Sequence, residues 1–255
     1  MHTSSVPLRS IAPSIAILFV CLGLRSDVPR RQSSGLAMLP RVTLWAWERR
    51  EDLRQADPSQ FAIAYLDQTL TIDLRVHSEP RRNAIVFPRM STRIAVVRIE
   101  TTRFAVLDEE DRVETVGAIL ESASQPGIAA IQVDFDAMLS QRAFYRSVLV
   151  DLRRQMPRGL PLSITALASW CSWDDWIADL PVDEAVPMFF RMEPDRSRAP
   201  TNIDEFRIRE PLCRTSVGVS TRERWPASMD QKRIYVFPDK GWHNESLASL
   251  EKRFK

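Results

Sequence analysis

Glycine, cysteine and histidine are scarce in this chain: seven, three and three of 255 residues. No glycine-rich turn of the dinucleotide or P-loop type follows an apolar run, and neither Gly-Lys-Ser/Thr nor Gly-x-Ser-x-Gly occurs. Nucleotide phosphate binding and the serine-hydrolase elbow are therefore not expected. The absence of Cys-x-x-Cys leaves a zinc or redox centre little support. His2, His77 and His243 are scattered, so a histidine-rich metal centre is not expected either. No cofactor is expected.

An excess of one charge is also lacking. Thirty-five basic residues face 33 acidic ones, for a net charge of +2. Arginine greatly outnumbers lysine, but the arginines are interspersed with acids, as between Arg49 and Arg54 and between Arg207 and Glu210. Without a basic stripe, neither nucleic acid nor an anionic membrane surface is an expected partner.

The apolar run from Ile15 to Leu24, preceded by Arg9, is short for a bilayer span and suits the h-region of a secretory signal. Export to the periplasm or envelope is expected. Residues 1–37 are read as a signal peptide or N-terminal anchor and linker, and residues 38–255 as one domain with no transmembrane span in the mature chain. An uncleaved anchor or a misplaced start is the competing reading. Arg25, Arg30 and Arg31 follow the run, Val20 sits where a lipoprotein box before Cys21 wants a small residue, and a cleavage sequence, Gly35-Leu36-Ala37, comes only later. If Cys21 leaves with the signal, Cys171 and Cys213 remain. They form either a disulfide, worth roughly 4 kcal/mol by loop closure, or two buried thiols.

Strand-like and helix-like segments alternate from Arg41 onward. Strands are expected over Val42–Trp47, Phe61–Ile72, Ile94–Ile99, Ala130–Asp136, Leu160–Ala168, Ala185–Met192, Ser216–Ser220 and Lys232–Phe237. A short polar helix or turn is expected from Glu48 to Ala56, stopped by Pro58. Asp108 can cap a helix whose first turn holds Glu109, Glu110 and Asp111 and whose buried stripe reads Val113, Val116, Ile119, Leu120. A second helix from about Ser140 buries Phe144, Val148, Leu149 and Leu152 before Pro157. Further helices are expected over Ser172–Leu180, Thr201–Ile208 and Asn244–Phe254. Leu74–Pro88, with Pro80 and Pro88, resembles a hairpin excursion in place of a crossover helix.

Eight strands mostly separated by helices imply parallel pairing through right-handed crossovers. The expected fold is α/β, a (β/α)8 TIM-type barrel, irregular between the second and third strands. A doubly wound open sheet is the alternative.

The segment Ala130-Ile131-Gln132-Val133-Asp134-Phe135-Asp136 is the most telling. At period two, one face reads Gln, Asp, Asp and the other Ile, Val, Phe. A barrel strand with this pattern carries two carboxylates toward the mouth of the core. A half-exposed strand whose polar side merely meets water is the competing reading.

Four segments carry a family resemblance: Leu44-Trp45-Ala46-Trp47-Glu48-Arg49, Val96-Val97-Arg98-Ile99-Glu100, Ile131 to Ala137, and Val236-Phe237-Pro238. In these the chain resembles the bacterial domain-of-unknown-function family 3142, which is similar to glycoside hydrolase barrels. The resemblance covers most of the chain after about Arg41 and implies a glycosidase-type barrel. Asp134 and Asp136 also match the aspartate spacing of family 18 chitinases. The glutamate that protonates the glycosidic oxygen there would fall on Met138, which cannot donate a proton.

A glycosidase needs one carboxyl group protonated and one ionised, and crowded acids can separate their pKa values. Asp134 or Asp136 is the expected nucleophile or base. Glu193 or Asp239, each following a strand, is the expected acid. Glu48, Asp67, Arg98, Glu100 and Arg191 at other strand ends are expected to line the substrate site, the arginines either as counter-charge or as structural partners of the carboxylates. Trp170 and Trp242, on loops, are the preferred sugar-stacking residues. Trp45 and Trp47 flank the first strand, and Trp173 and Trp176, at helical spacing, suit helix packing equally well. The expected partner is a carbohydrate. Two functions follow: an exported hydrolase of an envelope or extracellular glycan, or a glycan-binding or scaffolding barrel that has lost its acid.

Overall fold

Val42–Ala46 (β1) pairs in parallel with two strands, Phe61–Ile72 (β3) on one side and Arg233–Phe237 (β11) on the other. A sheet whose first strand joins its last is closed, which rules out the open, doubly wound alternative. The computed structural model describes residues 34–102, 105–190, 207–226, 229 and 232–254, all within one compact unit.

The remaining barrel strands are Thr92–Thr101 (β6), Ile128–Asp134 (β7), Leu162–Leu167 (β8), Glu184–Met188 (β9) and Ser216–Ser220 (β10). All eight are parallel and follow one another around the barrel in chain order. Because they are parallel, their C-terminal ends share one rim, here called the mouth.

Helices are fewer than strands among the described residues. Glu109–Ala123 (α2) links β6 to β7, and Arg142–Gln155 (α3) links β7 to β8. Asp108 and Asp111 cap α2 reciprocally, each carboxylate accepting the other's backbone N–H at 3.0 and 3.2 Å. Such a cap is worth about 1 kcal/mol. α3 buries Phe144, Tyr145, Val148, Leu149 and Leu152 along one stripe. α2 buries Val116 and Ile119 and packs Leu120 against the core as expected, but Val113 is 59% exposed and Asp111, Thr115 and Ser122 are buried beside the stripe. Its buried face includes polar residues because Ser122 serves Asp67 and Gln68 of β3.

Other departures have local causes. Of the expected polar helix or turn, Glu48–Ala56 holds a turn closed by the Ala56 N–H to the Leu53 carbonyl at 2.9 Å, preceded by a two-residue strand, Glu51–Asp52 (β2), paired with Ile85–Val86 (β5). The expected excursion is present: Val76–Pro80 (β4) runs antiparallel to the outer half of β3. The expected Ser172–Leu180 helix is broken into Ala168–Ser172 (α4) and a 3-10 turn over Asp175–Ile177. Cys171 in α4 is disulfide-bonded to Cys213, with a Cα separation of 5.8 Å. The last helix, α5, spans Asn244–Phe254 as expected, whereas most of the Thr201–Ile208 helix lies outside the described residues. No described helix is long and apolar enough to cross a membrane.

Two apolar layers follow from the period-two alternation. The outer faces of the strands, including Leu44, Ile63, Val97, Ile131, Val133 and Ile164, pack with the helices. The inner faces form a separate cluster of Trp45, Ala62, Ala64, Leu66, Ile94, Val96, Ala130, Val186, Tyr235 and Phe237. Large rings from β1 and β11 are accommodated by alanines on β3 and by Gly218, where a Cβ would lie 3.2 Å from the Phe237 ring. Leu36 and Leu39, in and after the short helix Ser34–Ala37 (α1), pack against this inner cluster.

Candidate active site at the barrel mouth

The face of β7 that reads Gln, Asp points into the barrel, and its residues are buried: Gln132 is 0% and Asp134 2% exposed. Water is therefore not their partner. Trp45 on β1 donates its indole N–H to Gln132 at 2.7 Å, although β1 and β7 are not neighbours in the sheet, so this bond crosses the lumen. Gln132 in turn donates to Ser163 on β8 at 3.1 Å. Glu184 on β9, fully buried, accepts from Tyr235 at 2.5 Å and from Arg233 at 3.2 Å. Burial, and then the Glu184 charge, raise the Tyr235 pKa, which keeps the phenol a donor. These interior polar groups thus satisfy one another, while the buried Thr43 hydroxyl, on the same face of β1 as Trp45, has no partner among the described residues.

The polar interior ends at the mouth in an ion pair. Arg98 on β6 donates to Asp134 Oδ2 at 2.8 Å, and Thr165 on β8 donates to Oδ1 at 2.6 Å. The Arg98 Nε also donates to Glu100 at 2.7 Å. Burial opposes the charge on Arg98, yet Asp134 and Glu100 together push its pKa up. The guanidinium lies 5.8 Å from the Trp47 ring centroid, a cation–π distance.

Asp136 lies two residues beyond β7, with its residue surface open to solvent but its carboxyl crowded by neighbouring atoms of the rim. It has no hydrogen-bond or ion-pair partner among the described residues. Its pKa is raised, first by partial burial of the carboxyl and then by the Asp134 charge, with Arg98 opposing.

Asp239, two residues beyond β11, lines a cavity of about 90 Å³ with Trp47, Phe190, Ser220, Arg222 and Phe237. Trp47 borders both features, with Arg98 over its ring and Phe237 6.4 Å away. Arg222 approaches Asp239 only to 3.8 Å, and the Asp239 carbonyl accepts from Arg49 at 3.0 Å.

The structure therefore brings Asp134, Asp136, Arg98, Glu100 and Asp239 to one rim and leaves four other residues off it. Asp67 is the extra residue in a β-bulge of β3, where it accepts from Ser122 and Gln125 at 2.6 and 2.8 Å on the α2 side. Glu48 is turned to the excursion and accepts from the Arg82 and Asn83 backbone and the Asn83 side chain. Burial would raise its pKa, but these bonds, led by Asn83, and Arg81 lower it overall. Trp170 and Trp242 are 2% and 4% exposed and belong to the outer cluster, so neither offers a stacking face. Trp170 meets Trp176 edge-on, and Trp242 donates to the Trp45 carbonyl at 2.9 Å. Glu193 and Arg191 lie outside the described residues.

Sequence reasoning passed over Thr165, Phe190, Phe237 and Arg222 as site residues and preferred Trp170 and Trp242 to Trp47 as stacking residues. A signal existed for Thr165, since Ser163 and Thr165 alternate with Ile164 and Ala166 as Gln132 and Asp134 do with Val133 and Phe135. It also passed over Glu51, 3% exposed, which accepts the Trp242 backbone N–H at 2.9 Å and so ties β2 to the segment after β11. Among the described residues, no group of three His, Cys, Asp or Glu is arranged to hold a metal ion.

Fold and site together define an α/β protein built on a closed parallel barrel with acids at its mouth. Residues 89–187 match the model of a family described as a domain of unknown function (DUF3142). That segment carries Arg98, Asp134, Asp136 and Thr165. Neither a curated protein nor a solved structure matches the chain.

Proposed function

We propose that this protein is an exported (β/α)8-type barrel of glycoside-hydrolase character that cleaves an envelope or extracellular glycan, with Asp136 as its proton-transferring group. One arrangement carries the reading. Asp136, without a hydrogen-bond or ion-pair partner among the described residues, lies two residues past the ion-paired Asp134 on the strand-end rim where barrel enzymes place their chemistry, and partial burial and then the Asp134 charge favour its protonated form.

Asp134 cannot act freely, because both its oxygens are engaged. Its role is that of a fixed negative charge, which favours the protonated form of Asp136. Protonated Asp136 can then donate to a leaving glycosidic oxygen, a step general acids accelerate by roughly 10²–10⁴-fold. Asp239, on the same rim and without a close ion pair, supplies the second carboxylate. A separation of roughly 5–5.5 Å between the two carboxyls predicts retention and roughly 6.5–9.5 Å inversion. Trp47, partly exposed between them, offers the stacking face that Trp170 and Trp242 do not. The Cys171–Cys213 disulfide supports an oxidising, extracytoplasmic setting.

A second reading, a glycan-binding barrel without turnover, draws on Met138 in place of an acid and on the small volume of the Asp239 cavity. Release of reducing ends from a polysaccharide panel separates the two. The hydrolase reading expects release by the wild type and a loss of about 100-fold or more in Asp136→Asn. Binding without release, at any polysaccharide, supports the second reading.

A further inference from the structure

Two recesses of very different size open near the strand ends, one by β11 and one by β6 and β7. At Trp47 lies the cavity of about 90 Å³. By β6 and β7, Met138, two residues past Asp136, lines a groove of about 420 Å³ between the N-terminal halves of α2 and α3. The first is well below the roughly 300–1,000 Å³ that ligand pockets occupy, whereas the second falls within that range.

We infer that the α2–α3 groove holds the extended arm of an oligosaccharide without acidic groups that continues past Asp136, so that the substrate is a glycan polymer and not a short glycoside. This deepens the glycan reading above and rests on it.

The groove is tied to the rim through one side chain. Gln141, buried at 5% exposure, accepts the Met138 backbone N–H at 2.8 Å and donates to Thr101 at the end of β6 at 2.5 Å. That clamp fixes the chain two residues past Asp136 against the end of β6.

The lining has the two characters a sugar ring needs. Leu107 and Met138 present apolar surface to the C–H faces of the ring and Ser140 presents a hydroxyl to its edge, while the Ser147 hydroxyl on the groove wall is spent on the Ala143 carbonyl. Large apolar side chains are exposed in and beside it: Met138 at 50% in the lining, its neighbour Leu139 at 78%, and Val106, next to Leu107, at 81%.

Charge disfavours an acidic ligand. Among the described residues the lining carries one cation, Arg112, held by both Glu109 and Asp151, and two carboxylates, Glu109 and Asp108, of which Asp108 gives one oxygen to the cap of α2. A uronate would meet carboxylates there, with the described cation already paired.

The test uses the full chain and end-labelled cello-, chito- and malto-oligosaccharide ladders from disaccharide to hexasaccharide. For at least one ladder, kcat/KM is expected to rise roughly tenfold or more with length, about 1.4 kcal/mol of added binding. Ser147→Trp, on the exposed face of α3, is expected to abolish that rise while leaving the disaccharide rate and the thermal midpoint unchanged. Ala143→Glu, also exposed and lining the groove, repeats the test if the tryptophan variant misfolds. Length-independent turnover, or a rise that survives both substitutions, overturns the groove assignment and leaves the hydrolase reading standing. If no ladder is cleaved, calorimetric titration of the same sugars decides. Length-dependent binding lost in Ser147→Trp keeps the groove and removes catalysis, and no binding at any length overturns the groove.

Discussion

Arg98 and Asp134 face each other across neighbouring strands at 2.8 Å, and the carboxylate of this pair is almost wholly enclosed. The pair anchors the mouth. Breaking a buried ion pair by removing one partner costs about 3–5 kcal/mol, because the other charge is left uncompensated. Arg98→Ala is expected at or below the lower end of that range, since the guanidinium is partly open to water. Asp134→Asn keeps an acceptor for Thr165 and should cost less. Urea unfolding of both variants checks the order. Equal, negligible losses would mean the pair is not structural.

Asp136 should make stability fall with rising pH. Its carboxyl binds a proton more tightly in the native state than in the unfolded chain, so its contribution is full below the ordinary Asp value of 3.8. That contribution is lost as pH rises to the raised native value, and the curve is flat above it. Asp136→Asn should remove this component of the slope, as measured by the urea midpoint across acidic pH.

Glu51 holds the segment after the last barrel strand through a single acceptor. Its Oε2 takes the Trp242 N–H, its Oε1 is buried without a partner, and burial raises its pKa despite that bond and Arg81, Arg49 and His243. Glu51→Gln keeps the acceptor and removes the buried charge, so at neutral pH it should be neutral or stabilising. Glu51→Ala strands the Trp242 N–H and should cost about 1–3 kcal/mol. Gly241 has φ of +94°, and a Cβ there would lie 2.9 Å from Oε1, so Gly241→Ala should cost of the order of 1–3 kcal/mol. Thermal melts of the three variants give the comparison.

The disulfide closes a separation of 42 residues between α4 and the turn before β10. In the chain-entropy model such a loop is worth about 4 kcal/mol. Reduction of the folded protein, or Cys171→Ser with Cys213→Ser, should lower the thermal midpoint by several degrees. An unchanged midpoint in reductant would show that these sulfurs contribute nothing to folding.

Period-two alternation made the barrel legible before its geometry was known. Phe61–Ile72 was readable to the residue, and the Gln132, Asp134 face could be assigned to the interior because Ile131, Val133 and Phe135 claimed the other side. The loops were not legible. Trp170 and Trp242 look available in a sequence, but what buries them is tertiary: Trp176 in one case and the Trp45 carbonyl in the other. Asp67 looked like a strand-end acid, yet a bulge turned it toward α2. Nor does periodicity tell an aspartate locked by a neighbouring arginine from one left free. Asp134 and Asp136 are equivalent by spacing and differ only through residues on β6 and β8.

The most direct test of the account is the pH–rate profile of kcat/KM on a cleaved glycan, for the wild type and Asp136→Asn. The account predicts a basic limb in the wild type with an apparent pKa above the ordinary aspartate value, absent from a variant that folds normally but retains only residual turnover. A variant with wild-type turnover and the same basic limb would show that Asp136 transfers no proton.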